Sequence, residues 1–183
     1  FDKATRNMSE RDVAQEYLCS FNQSGDSVIA PKDIERLLAG ATDPEYRSGF
    51  DRNLWIWEEP EEDGSYLLAA DVARGDGKDY STFHIIKLGT MEVVAEYQGK
   101  VEPDLFATFV DSTGKEYNDA MIAIENNNIG FMVLKKLIDS AYPNLYYSIK
   151  GSHEYIDAAT AESVSNSVVG FTTSSKTRPM LIA

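Results

Sequence analysis

The sequence predicts an α/β fold built on a mixed sheet, in which three antiparallel strands are extended by parallel strands. Two apolar runs, "YLLAADVA" (66–73) and "AMIAIE" (120–125), are typical of strands buried on both faces. Between them lie two alternating, β-branched segments, "STFHIIKL" (81–88) and "EVVAEYQG" (92–99), joined by Gly-Thr as in a hairpin. Amphipathic helical patterns precede and follow the second apolar run, so the predicted order is β-β-β-α-β-α-β.

Two helices and a last strand complete this predicted domain. Residues 102–118 have an apolar face with a 3.6-residue period and a proline in the first turn. Residues 126–143 begin with asparagines that can cap a helix and end at a proline. Residues 144–150 are predicted to form a final strand, and the polar stretch 150–167 is consistent with a mobile loop.

The residues before the sheet have a modest capacity to form a core. Short helices are predicted over 9–18 and 31–41, and a short strand over 54–57. We place a domain boundary near residue 60, with 1–60 as a lead-in or linker region and 61–183 as the α/β domain. The chain begins without methionine and ends on an apolar run, so we expect a fragment of a longer protein.

Composition restricts the kinds of site the chain can hold. Cys19 is the single cysteine and the chain has two histidines, which excludes a disulfide framework, a cysteine-built zinc site and a histidine-rich metal site. A bound metal would therefore be held by carboxylates, which favours Mg²⁺ or Mn²⁺. The net charge of −13 argues against a stand-alone nucleic-acid binder, whose surface is normally basic. No apolar run reaches the roughly 20 residues of a membrane span.

Two predicted buried strands end in a carboxylate, one at Asp71 and the other at Glu125. If these strands are parallel neighbours, their carboxyl ends place both acids in one crevice, where sheets of this kind usually bind ligands. Two like charges so close favour a divalent cation between them. The alternative is that each acid is simply exposed where its strand stops. Asp79 could approach the same crevice as a third carboxylate.

The segments next to these acids allow two interpretations. Gly75 and Gly77 are consistent with a plain tight turn between antiparallel strands. Asn126 to Asn128 can cap the following helix, and their side chains could also bind Glu125 or a phosphate oxygen. We interpret His84 as a packed side chain within a strand.

Three stretches resemble the large terminase subunit of tailed bacteriophages, particularly the T4-like type, at the start of its C-terminal nuclease domain. They are "LLAADVARGDGKDYSTFHIIKL", "AIENNNIGFMVLKKL" and "VVGFTTSSKTRPMLIA". The resemblance implies a ribonuclease-H-like fold and a two-metal endonuclease that cuts concatemeric double-stranded DNA, with Mg²⁺ or Mn²⁺ as cofactor. It places Asp71 and Glu125 at the first two acidic positions. The third aspartate of the family would follow Ala183, so we expect this fragment to cut poorly.

The resemblance also implies partners and a cellular location. DNA would be contacted by basic and amide side chains of the nuclease domain: Lys78, Lys100, Asn126, Lys150, Lys176 and Arg178. ATP would be used by a missing ATPase domain that residues 1–60 join to the nuclease. Portal protein and the small terminase subunit would be partners of the full protein. The full protein would act in the cytoplasm of the infected bacterium and would not bind a membrane. It could form a homo-oligomer on the portal.

Two other functions are compatible with the pattern. Actin-like ATPases and sugar kinases use the same strand order with a D-x-G-x-T hairpin for nucleotide phosphates. Here the first glycine follows Asp71 by four residues rather than two, which is a poor match. The chain could also be a docking module of the packaging motor without catalytic activity, in which the acids are surface charge.

Overall fold

The computed structural model describes residues 31–127, 129–151 and 154–173. The chain divides between Asp43 and Pro44 into two compact units. In the first unit the described residues are 31–43, and they contain helix α1 (Pro31–Ala39), which confirms the helix predicted over 31–41. The helix predicted over 9–18 lies outside the described residues.

The second unit contains a six-stranded mixed sheet with the spatial order β1-β2-β5-β4-β3-β6. Its strands are β1 (Tyr46–Ser48), β2 (Leu54–Ile56), β3 (Tyr66–Asp71), β4 (Ser81–Lys87), β5 (Glu92–Gly99) and β6 (Met121–Ile124). All neighbouring strands are antiparallel except β3 and β6, which are parallel. This arrangement confirms the predicted fold class.

Strands β1 and β2 belong to the sheet, although both precede the predicted boundary at residue 60. Strand β2 pairs with β5, and Leu54 lies opposite Tyr97 in the register. Strand β1 lies in a polar stretch for which the sequence predicted no strand, and all three of its residues are exposed. The predicted boundary thus falls within the second unit, while the role of residues 1–60 as a linker to another domain stays a prediction.

Helices α2 (Pro103–Glu116) and α3 (Ile129–Asp139) share one hydrophobic core with the sheet. Phe83 of β4 stacks on Tyr97 of β5 with ring centroids 5.2 Å apart, and Phe106 of α2 packs on both rings. Leu68 of β3 and Ile122 of β6 are fully buried in the same core. The core therefore fixes the two parallel strands that carry the predicted acids.

The chain beyond α3 differs from the prediction. The expected last strand over 144–150 does not extend the sheet regularly, because Leu145 alone bridges Ile122 in parallel before the chain turns away. A separate three-stranded sheet follows, with the order β8-β7-β9. Its elements are β7 (Tyr147–Ile149), β8 (Tyr155–Ile156), helix α4 (Ala158–Ser163) and β9 (Ser167–Val169). These elements occupy much of the stretch that we interpreted as a mobile loop.

The edge beside β6 is shared by two segments. Residues around Leu145 pair with the first half of β6, and Phe171 returns to bridge Glu125 just beyond its end. The backbone N–H of Phe171 donates to the carbonyl of Ile124 at 3.1 Å. The second sheet is thereby anchored next to a predicted site residue. Among the described residues, no helix has the length and apolar character needed to cross a membrane.

Candidate metal centre

Asp71 and Glu125 lie at the carboxyl ends of two neighbouring parallel strands. The register pairs Ala70 with Ile124, so the two acids are the next residues on strands about 4.8 Å apart. Both line one cavity of about 210 Å³, together with Asn127 and Gly130, which we call the carboxylate cavity. The structure therefore brings the two predicted acids together.

Alternation along β3 explains why its last residue is available to solvent. Tyr66, Leu68 and Ala70 point into the core, whereas Asp71 is exposed. The buried part of the strand holds the backbone in a fixed position, and the carboxylate lies just beyond it. A charge at this point is hydrated, so it does not carry the desolvation cost of a charge within the core.

The loop after β3 is closed at its base by a buried serine. The Ser81 hydroxyl accepts a hydrogen bond from the Ala73 N–H at 3.0 Å and lies 3.4 Å from the Ala73 carbonyl, to which it donates. Asp79 is exposed and lines a second cavity of about 330 Å³, here called the loop cavity, which Asp71 also lines. Asp79 is thus on the same edge of the sheet as Asp71, as the sequence suggested.

The side chain of Glu125 is held by a neighbour in the loop before α3. Asn127 Nδ2 donates a hydrogen bond to Glu125 Oε1 at 2.5 Å and lies 3.5 Å from the Thr173 carbonyl oxygen. The sequence suggested that an asparagine of this run could bind Glu125, and the structure identifies Asn127. This contact restricts the carboxylate within the carboxylate cavity.

Gly130 allows the start of α3 to approach the end of β6. A Cβ atom at this position would overlap the backbone carbonyl oxygen of Glu125. A larger residue would push the helix away from the strand end that carries the acid. Sequence reasoning missed this residue, although a glycine within a helical pattern often marks close packing.

The side chain of Asn126 bonds to other parts of the chain rather than to Glu125. Its Nδ2 donates to the Val169 carbonyl at 3.0 Å, and its Oδ1 accepts from the Thr172 hydroxyl at 2.8 Å. These bonds tie the end of β6 to the segment after β9. A DNA contact by Asn126 stays a prediction, but its polar atoms already have partners within the chain.

The predicted basic residues and His84 lie outside the carboxylate cavity or outside the described residues. Lys78 is exposed on the loop after β3, and Lys150 is exposed at the end of β7. Lys176 and Arg178 lie outside the described residues. His84 is half exposed rather than packed, and its Nε2 lies 3.4 Å from Glu96 Oε2 across the strand pair.

The donors of the carboxylate cavity fit a hard, hydrated cation. Asp71, Glu125 and the side-chain carbonyl of Asn127 offer oxygen ligands, which Mg²⁺ and Mn²⁺ prefer. Mg²⁺ keeps several waters and needs few protein ligands. Over the part of the chain that the structure describes, no cluster of three or more acidic, histidine or cysteine side chains is arranged to hold an ion.

Comparisons with known proteins agree with this fold. No protein-family model matches the chain, and no curated protein matches it. Among solved structures, the large terminase nuclease of thermophilic phage G20c with bound magnesium is similar, at a TM-score of 0.55 and 15% identity. The cobalt-bound structure of that nuclease gives the same two values. The chain has the fold of a large terminase nuclease domain.

This likeness confirms the resemblance found in the sequence and the ribonuclease-H-like fold that it implied. The match covers 76% of this chain and 60% of the G20c nuclease chain. The chain therefore spans about three-fifths of the length of that terminase nuclease. The finer assignment to the T4-like type stays a prediction.

Proposed function

We propose that this chain is the nuclease domain of a viral DNA-packaging terminase. It is a metal-dependent endonuclease that cuts concatemeric double-stranded DNA when packaging begins and ends. The observation that carries the proposal is the placement of Asp71 and Glu125 side by side in one cavity. The shared fold supports it, because the similar nucleases were crystallised with magnesium or cobalt.

In this proposal Asp71 and Glu125 are the catalytic acids and the ligands of Mg²⁺ or Mn²⁺. Asp79 lines the adjoining loop cavity with Asp71 and does not line the carboxylate cavity. When bound, a pair of such ions supplies an activated water and stabilises the leaving oxygen of the cut phosphodiester. Asp71 is held by the buried strand β3. Glu125 is oriented by the hydrogen bond from Asn127. Strand β3 and Asn127 thus fix the two carboxylates before DNA binds. Less rearrangement of the site is then needed for cutting.

The wider setting belongs to the same proposal. Residues 1–60 would lead in from an ATPase domain that uses ATP, and the full protein would work with portal protein and the small terminase subunit. It would act as an oligomer in the cytoplasm of the infected bacterium. DNA binding would be shared with these partners, which is consistent with a domain of net charge −13.

The geometry favours this proposal over a nucleotide-binding hairpin. A phosphate-binding hairpin needs a tight turn directly after the first strand, whereas here residues 72–80 separate β3 from β4. The backbone of this loop rests at Gly75 against the β5–α2 connection. The loop therefore lacks the shape that a kinase-like function requires, and no observation on the described residues favours a docking module without catalysis.

The proposal is tested by measuring metal binding and DNA cutting in the same variants. Asp71→Asn and Glu125→Gln remove one charge each while keeping shape and hydrogen-bonding atoms. Asp139→Asn is a matched control, because Asp139 is exposed on α3 and pairs with Lys135 there. Thermal unfolding with and without Mn²⁺ reports metal binding, and nicking of supercoiled plasmid DNA reports cutting.

We expect Mn²⁺ at about 100 times its Kd to stabilise the unchanged chain by about 2.7 kcal/mol. Asp71→Asn and Glu125→Gln should lose this stabilisation and all metal-dependent nicking, and Asp139→Asn should keep both. A normal metal response in both site variants would contradict the metal centre. Metal stabilisation without any nicking would retain the metal centre and contradict endonuclease activity of this chain.

A further inference from the structure

Cations of the second unit differ in how they are paired. Four lysines on β4 and the two long helices form ion pairs: Lys87 with Glu58 and Glu61, Lys115 with Asp111, Lys135 with Asp139, and Lys136 with Asp104. By contrast, Arg74, Lys78 and Lys100 have no carboxylate within ion-pair distance among the described residues. Arg47, Arg52 and Lys150 also have no ion pair among the described residues. Arg74, Lys78 and Lys100 differ from them in lying on the loop after β3 or on the segment that this loop contacts at Gly75.

A close backbone contact places two of these cations on adjacent segments. Gly75 has φ = +83°, and a Cβ there would lie 2.5 Å from the Val101 carbonyl oxygen. The loop after β3 therefore packs on the connection between β5 and α2. Arg74 precedes this contact on one segment, and Lys100 precedes it on the other. With the Ser81 bonds at its base, the loop is held at two points.

An aromatic ring holds the Lys100 ammonium without neutralising it. Lys100 Nζ lies 4.8 Å from the centroid of the Tyr80 ring, within the range of a cation–π contact. Tyr80 is about half exposed and lines the loop cavity with Asp71 and Arg74. A carboxylate partner would cancel the positive charge, whereas the ring positions it and leaves it available to an anion.

We propose that Arg74, Lys100 and Tyr80 form a rim that binds the phosphodiester backbone of DNA beside the carboxylate cavity. Exposed Lys78 on the same loop adds to its charge. This inference rests on the proposed function, because the rim would hold the DNA whose backbone is cut at Asp71 and Glu125. The rim attracts DNA phosphates locally, although the net charge of the chain is negative.

The acids around the rim determine when it can bind. Asp71, Asp76 and Asp79 line the loop cavity with Arg74 and repel a phosphate. Divalent cations held by Asp71 and Glu125 would offset that repulsion. DNA binding through the rim should therefore be strengthened by a divalent cation, and Ca²⁺ is used in the test because it occupies carboxylate sites while supporting little cutting.

The test measures fluorescence anisotropy of a short labelled DNA duplex with the unchanged chain in Ca²⁺, over a series of salt concentrations. Arg74→Ala and Lys100→Ala should each weaken binding about 3- to 10-fold and reduce the salt slope by about one. Lys135→Ala is the matched control, since it removes the same charge at a paired site. Tyr80→Phe should bind normally, and Tyr80→Ala should resemble Lys100→Ala.

Equal binding by Arg74→Ala, Lys100→Ala and Lys135→Ala would overturn the rim. Failure of the unchanged chain to bind the duplex at low salt would overturn it as well. Stabilisation by Mn²⁺ is measured in the same variants, where the rim substitutions should leave it unchanged. If the metal response is absent while Arg74→Ala and Lys100→Ala still weaken DNA binding, the rim stands and the metal centre fails.

Discussion

The side-chain amide of Asn127 donates a hydrogen bond to Glu125 Oε1 over 2.5 Å, two residues along the chain. This bond fixes one oxygen of the acid that follows β6. Asn127 also lies near the Thr173 carbonyl, so the loop before α3 is linked to the end of the described chain. Asn127 is therefore a positioning residue for Glu125 in the proposed metal centre.

We predict that Asn127→Ala lowers Mn²⁺ affinity by about 10- to 100-fold while the chain stays folded. The reason is that groups bonded to a metal-binding carboxylate fix its orientation, and their loss has effects of this size. Isothermal titration calorimetry with Mn²⁺ measures the affinity. Asn144→Ala is the control, because Asn144 bonds the Asp119 carbonyl elsewhere in the fold. Equal affinity in the two variants would show that Asn127 does not position Glu125.

Gly130 leads to a prediction about stability. Because a Cβ at this position overlaps the Glu125 carbonyl, Gly130→Ala should lower the free energy of unfolding by about 1–3 kcal/mol. Urea unfolding followed by circular dichroism measures the change. Gly89→Ala is the matched control, since a Cβ at Gly89 meets nothing within 4 Å. A Gly130→Ala variant as stable as Gly89→Ala would mean that α3 does not pack as closely as described.

Stability should depend on pH through an ion-pair cluster at the opposite end of β4. Lys87 Nζ contacts Glu58 and Glu61, and its hydrogen bond to Glu61 lowers the pKa of that carboxyl from its ordinary value of 4.5. A pKa lowered in the folded state stabilises the fold above the ordinary value and loses this contribution as pH falls through the folded value. Because Glu61 is exposed, the effect is small.

We therefore expect Glu61→Gln to reduce the loss of stability of the chain below about pH 4.5. Urea midpoints measured from neutral pH into this acid range report the difference. Glu62→Gln removes a neighbouring charge with no ion pair among the described residues, and should leave the acid-induced loss nearly as in the unchanged chain. Parallel pH profiles for Glu61→Gln and the unchanged chain would contradict the role of this cluster.

Much of the sheet could be predicted because burial shapes its sequence. The apolar runs that form β3 and β6 lie in the hydrophobic core. Their parallel pairing is consistent with helix α2, which precedes β6 in the chain as a crossover connection. Strand β1 could not be found this way, because all three of its residues are exposed and none adds an apolar side chain to the core. Strand β8 is equally hard to detect, because it has two residues, neither of them buried, and it pairs with β7 alone among the described strands.

The part of the candidate site that lies at the ends of strands could be predicted from the sequence. The part that depends on close contacts between segments far apart in the chain could not. Asp71 and Glu125 follow buried runs, so their meeting could be inferred from topology. The contact of Gly75 with Val101 and that of Gly130 with Glu125 join segments distant in the pattern. The Tyr80–Lys100 contact depends on the first of these. No local rule reveals such contacts before the chain is folded.

In the proposed metal centre, Asp71 and Glu125 together bind a divalent cation. The most direct measurement is an anomalous difference map from crystals of this chain soaked in Mn²⁺. The proposal predicts a peak coordinated by carboxylate oxygens of both residues. Ordered carboxylates with no manganese between them at saturating Mn²⁺ would contradict it.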